Sequence, residues 1–175
     1  MTAQLDRFCA ELSSILKAKG QKGLPEIAEK LRPLLRDADF VRATWNDDMP
    51  PGKRVLFHDP ETDAYVLAHV QEAGKGGHPH SHGASWAIYG NAKGYTEMTE
   101  WRRLNPESEE QALLESAGAY RLGPGDSHAY GADVIHSTAH PEKAWVIRIT
   151  GGDLDQIPRF RFHPKRDKIL EKASH

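Results

Sequence analysis

The sequence predicts a mainly-β fold, a sandwich or barrel of short antiparallel strands preceded by two amphipathic helices. Three observations predict it. Apolar residues recur at helical spacing only near the start of the chain. The segment Met49-Pro50-Pro51-Gly52 then ends helical patterning. After it come six short β-type runs with turn residues between them and no long helix, which favours an antiparallel arrangement over a parallel one.

Residues 3 to 18 place Leu5, Phe8, Leu12, Ile15 and Leu16 at steps of three and four, and residues 25 to 36 repeat the pattern with Ile27, Leu31, Leu34 and Leu35. Between these helices Gly20, Gly23 and Pro25 supply a stop, a turn and a first-turn proline. Cys9, the single cysteine, lies on the apolar stripe, so it excludes an internal disulfide and a paired-cysteine metal site and reads as an inert core thiol. The β-type runs are Arg54–His58, Ala64–Val70, Ser85–Tyr89, Gly94–Arg102, Ala119–Leu122 and Lys143–Thr150. Residues 105 to 118 form a polar excursion with a short helix expected around Glu109 to Leu114. One domain is expected over 1–175: helical at 1–46, a barrel at 50–158, and a basic, peripheral tail at 159–175.

Charge and hydropathy narrow the function. The 23 basic and 25 acidic residues nearly cancel, leaving a formal charge of -2, so the broad field that nucleic acid or a membrane surface would require is missing. A small-molecule partner is expected, in a cytoplasmic monomer or homodimer. No apolar run reaches the length of a membrane span, and the first residues read as a helix start rather than a signal peptide.

The chemistry concentrates in histidines. Gly77-His78-Pro79-His80-Ser81-His82 sets three imidazoles in five residues ahead of a strand, where residues two apart face one side and can share an ion. A surface histidine cluster is the plainer alternative. Downstream, Leu122-Gly123-Pro124-Gly125-Asp126 and then His136 before the last strand provide a turn and a third imidazole. His128 competes with His136 for that role. His136 is preferred for its distance from the final strand, with His140 following it and His78 at the rim. His58, His69, His163 and His175 read as ordinary surface or strand residues.

These two elements resemble the motifs of the cupin superfamily, an HxH with flanking glycines and a Pro-Gly turn followed by histidine, and imply its double-stranded β-helix, or jelly-roll barrel, with the two helices packed on it. The superfamily's usual carboxylate ligand has no counterpart: Trp86 stands there, and neither Asp nor Glu occurs from His78 to Tyr95. A set of three histidines is similar to that of the thiol dioxygenases, the cysteine dioxygenase-like group. The resemblance implies Fe(II) at His80, His82 and His136, with O2 and a small thiol carboxylate as substrates. Nickel, manganese and zinc also accept imidazole. The resemblance further implies Arg54 as the grip on the substrate carboxylate, through the planar fork of its guanidinium.

The departures from the family are equally specific. Ala87 replaces the crosslinking cysteine, while Val146, Arg148 and Thr150 replace inward-facing Ser, His and Tyr. Arg148 would therefore point into the pocket beside Arg54, or else pair with an acid at the rim. Trp86 and Tyr89 are candidate substrate contacts, and Tyr95 with His78 and His140 would support the ligands. Tyr89, Tyr95 or Tyr130 would supply the missing hydroxyl. Two other readings stay open: a three-histidine cupin that cleaves or isomerises a carbon substrate, and a non-enzymatic cupin that binds a ligand or metal.

Overall fold

The structure, a computed structural model, describes residues 2–109, 111–163 and 166–171. Helix α1 (Ala3–Lys19) begins at Thr2, whose hydroxyl accepts from the Leu5 amide, and buries Leu5, Phe8, Cys9, Leu12, Ile15 and Leu16. Burial pushes the Cys9 thiol up to about 12, in keeping with an unreactive core residue. Helix α2 (Leu24–Arg36) buries Ile27, Leu31, Leu34 and Leu35 as expected. A third helix, α3 (Ala38–Thr44), was not anticipated; Asp37 both ends α2 and caps α3, accepting from the Phe40 amide at 2.7 Å.

The strands are β1 (Gly52–Asp59), β2 (Ala64–Gln71), β3 (Lys75–Gly76), β4 (His80–Ser81), β5 (Ala87–Lys93), β6 (Thr96–Arg103), β7 (Leu114–Leu122), β8 (Ser127–Tyr130), β9 (Ile135–His140), β10 (Ala144–Gly151), β11 (Arg159–His163) and β12 (Arg166–Glu171). They form two antiparallel sheets, β1-β2-β10-β5-β8 and β12-β11-β4-β9-β6-β7, with β3 beside β9. The six expected runs correspond to β1, β2, β5, β6, β7 and β10, with ends shifted. The short strands β3, β4 and β8 escape periodicity because two to four residues carry no period.

Sheet parity sorts the side chains. On the first sheet Ala68, Ile88, Ile147 and Ile149 face outward and join the helices in one apolar core. Helix α2 sits against Gly90, where an added Cβ would lie 2.6 Å from Leu35 and 2.9 Å from Leu31, and Ser127 of β8 donates to the Ala28 carbonyl at 2.6 Å. Gly94, in the turn between β5 and β6, has φ of +64°, where other residues are strained. The opposite face, carrying Ala87, Tyr89 and Val146, closes on Met98 of the second sheet.

Two local expectations need correcting. No helix forms around Glu109 to Leu114 among the described residues, which exclude Glu110. Asn105 organises that loop instead, accepting from the Leu113 amide at 2.8 Å and donating to Glu109 at 2.9 Å, so side-chain bonds replace helical ones. The tail is not peripheral at its start either: β11 pairs with β4, setting Arg161 opposite His80. Residues 164, 165 and 172–175 lie outside the described part, His175 among them. No described helix is long and apolar enough to cross a membrane.

Candidate metal centre

Strands β4 and β9 lie side by side with His80 directly opposite His136, and His82 follows two residues on. This register places one ligand atom from each of the three imidazoles within 4.8 Å of the others. Ring centroids stand 5.2 Å apart for His80 and His82, 4.6 Å for His80 and His136, and 4.8 Å for His82 and His136.

Backbone carbonyls orient two of the rings. His80 Nδ1 lies 3.0 Å from the His78 carbonyl, and His136 Nδ1 lies 3.3 Å from the Val134 carbonyl. Each contact assigns the proton to Nδ1 and turns the Nε2 lone pair toward the other histidines, the arrangement that fixes a metal-binding imidazole. His136 Nε2 is buried with no hydrogen-bond partner, while burial first and then the neighbouring His80 lower its pKa to about 3. A buried, neutral, unpartnered nitrogen facing two further imidazoles fits a divalent first-row metal.

Aromatic hydroxyls surround the cluster. The Tyr89 hydroxyl lies 3.5 Å from His82 Nε2, and the Tyr130 ring stacks on His136 at 4.7 Å. Tyr130 is hydrogen-bonded to Tyr120, whose hydroxyl donates to Glu100 at 3.0 Å. Burial pushes the pKa of both tyrosines upward, so they remain neutral donors.

Glu100 is the residue that sequence reasoning missed. The absence of acids between His78 and Tyr95 had suggested that no carboxylate lies near, yet β6 carries Glu100 directly opposite His136. The signal was present: in the expected strand Gly94–Arg102 it shares parity with Thr96 and Met98, which the structure buries. Glu100 is outside the three-histidine group and is held by Tyr120. His128 is also outside that group, with Nε2 3.8 Å from Glu100 and its side chain 46% exposed.

Other expected residues separate by face. Arg54 does not reach the interior; it pairs with Ala68 on the helix side and donates to the Thr44 carbonyl at 2.6 Å. Trp86 is likewise corrected, since it packs in the helix-side core against Gly151. Tyr95 lies in the β5–β6 turn beneath Arg121, 3.9 Å from the ring centroid, and it is Thr96 that turns inward. His78 is exposed and contributes its carbonyl to His80. His140 is buried two pleats from His136, with Nδ1 3.3 Å from the Thr96 hydroxyl. Arg148 points inward beside Tyr89 and Leu67.

No protein-family model matches the chain, and no curated protein matches it. Solved structures do. CapF, crystallised with the inhibitor 3-isopropenyl-tropolone, is 12% identical with a TM-score of 0.50, over 67% of this chain and 33% of that one. KdgF from Halomonas sp. is 21% identical with a TM-score of 0.45, over 65% of this chain and 92% of that one. A conserved double-stranded β-helix protein from Klebsiella pneumoniae subsp. pneumoniae MGH 78578 is 12% identical with a TM-score of 0.46, over 67% and 84% of the two chains. The fold is a cupin-type double-stranded β-helix. At such identities the likeness is one of fold, and the chemistry must be argued from the site.

Proposed function

We propose that this cupin is a mononuclear Fe(II) enzyme that oxidises a small thiol carboxylate with O2 to the sulfinate. The observation that carries the reading is the donor set itself: three imidazole nitrogens within 4.8 Å with no carboxylate among them. Iron held there would keep its full dipositive charge, lower the pKa of a thiol and supply the redox chemistry with O2. His80, His82 and His136 would hold the ion, and the coordination positions they do not fill would be open to substrates.

The remaining residues bind and orient. Arg148, the inward guanidinium, takes the carboxylate in place of Arg54. Tyr89 presents its hydroxyl beside His82, while Tyr130, whose proton is directed at Tyr120, packs its ring on His136 and offers an acceptor oxygen. The reaction balances as one thiol plus one O2 giving one sulfinic acid, both oxygen atoms passing to sulfur. The second reading, isomerisation or cleavage of a carbon substrate, is favoured by Glu100, since a carboxylate joined through Tyr120 to Tyr130 suits proton transfer near the site.

Anaerobic loading with Fe(II), followed by O2 uptake with cysteine, 3-mercaptopropionate and cysteamine, tests the proposal. The expected result is one O2 consumed per thiol, with sulfinate as product and a preference for the carboxylate-bearing thiols. Loaded protein that consumes no O2 with any of them would contradict it.

A further inference from the structure

From the three clustered histidines a file of hydrogen-bonded rings runs out to solvent. The Tyr130 ring stacks on His136 with centroids 4.7 Å apart, and its hydroxyl meets that of Tyr120. Tyr120 in turn donates to Glu100 at 3.0 Å. A phenol carries a single proton, so with that of Tyr120 committed to the carboxylate, Tyr130 is the donor in the contact between the two hydroxyls. The donors therefore all point one way, away from the histidines and toward Glu100. Tyr130 is 2% exposed, whereas the side chains of Glu100 and His128 are 36% and 46% exposed, so the file begins beside a metal ligand and ends at the surface. His128 lies against both rings, 4.8 Å from Tyr130 and 5.3 Å from Tyr120, with Nε2 3.8 Å from Glu100.

Packing alone does not call for this arrangement. A phenylalanine at position 130 would cover His136 as well, and a buried hydroxyl costs free energy unless it is bonded. What the hydroxyl adds is chemistry. A buried phenol gives up an electron readily only when a base takes its proton in the same event, because the alternative is an uncompensated buried cation. Here the file leads to such a base: the Tyr130 proton can pass to the Tyr120 oxygen as the Tyr120 proton passes to Glu100, along bonds that are already aligned.

We propose that Tyr130 and Tyr120 form a one-electron relay between the metal centre and the surface, with Glu100 as its proton acceptor. When iron at the histidines is oxidised without its reducing substrate, Tyr130 returns one electron to it and becomes a neutral tyrosyl radical, while Glu100 becomes a carboxylic acid. No bond between heavy atoms forms or breaks. A hydrogen atom passed from Tyr120 to Tyr130 then moves the radical to the half-buried ring, where a soluble one-electron reductant such as ascorbate restores it. The relay spares the histidine ligands from oxidation. It rests on the reading above for redox-active iron at the histidines, and not for the thiol.

The test uses the full-length protein loaded anaerobically with Fe(II), treated with hydrogen peroxide in the absence of any thiol and frozen for electron paramagnetic resonance. Peroxide takes two electrons from the iron and the relay returns one, so wild type should give ferric iron together with a tyrosyl signal. Tyr130→Phe should lose that signal, and so should Tyr120→Phe, which severs Tyr130 from its base. Glu100→Gln keeps the size and a hydrogen-bond acceptor but cannot take the proton, so it should lose the signal as well, an outcome that a packing role would not produce. Tyr95→Phe, on the β5–β6 turn, should leave it unchanged. Iron stoichiometry in each protein reports the metal centre, and Glu100→Gln decides the case if a tyrosine variant loses its iron. An iron-loaded wild type without a tyrosyl signal, an undiminished signal in Tyr130→Phe, Tyr120→Phe or Glu100→Gln, or its loss in Tyr95→Phe would each overturn the relay. A wild type that holds no iron would overturn the relay and the metal centre together. A signal that behaves as expected in a protein that consumes no O2 with thiols would support the relay and count against the thiol reading.

Discussion

The two faces of strand β10 differ in what they bury. Its outward residues, Ile147 and Ile149, are fully buried against the helices in a continuous apolar core. Its inward residues include Arg148, with an unpartnered buried nitrogen, and the same face of the neighbouring strands adds His69 and Asn91, each with another. The outward face leaves one such nitrogen, Trp145 Nε1, within an otherwise apolar core, whereas the inward face gathers three on neighbouring strands. Native interiors rarely leave polar groups in that state without a reason. Parity along one strand thus separates a mainly apolar face from one that carries several polar groups.

The largest expected effect comes from exchanging adjacent residues on opposite faces. Ile147→Ala should destabilise by about 2 to 5 kcal/mol, as an emptied core site does, while leaving metal stoichiometry unchanged. Arg148→Leu should leave stability level or raise it, because it removes an unmatched charge. Chemical denaturation of both variants checks the contrast. A reversed order would mean that Arg148 is structural.

A smaller effect should appear with pH. His69 and His136 have pKa values lowered to about 3 by burial, against an ordinary 6.5. As pH falls below 6.5 the unfolded chain takes up protons that the folded, metal-free protein refuses until near 3, so stability is lost across that window. The melting temperature of metal-free protein should fall between pH 7 and pH 4 by more in wild type than in His69→Gln. Parallel curves would show that His69 is not held neutral.

Much of this contrast was legible in the sequence. The helical stripes, the β region and the HxH spacing follow from periods of 3.6 and 2, and the structure brings His80, His82 and His136 together. Parity was harder to read. Strand β2 is buried along most of both faces, so no alternation betrayed that His69 turns inward. Arg54 was placed by its distance from His80 along the chain, and distance does not determine which side of an edge strand a residue occupies. Trp86 and Tyr89 were paired as pocket residues although a spacing of three puts them on opposite faces of a strand, an inference open from the start. Glu100 and Arg161 are brought beside the histidines by strand pairing across the second sheet, which local spacing does not reveal.

The central claim is that His80, His82 and His136 hold one metal ion. Metal analysis of the full-length protein and its single-site variants tests it most directly. Wild type and His128→Ala should each retain one equivalent of bound divalent metal, while His80→Ala, His82→Ala and His136→Ala should each fall far below it, all as folded proteins by circular dichroism. A His136→Ala protein that keeps its full equivalent, or a His128→Ala protein that loses it, would contradict the account.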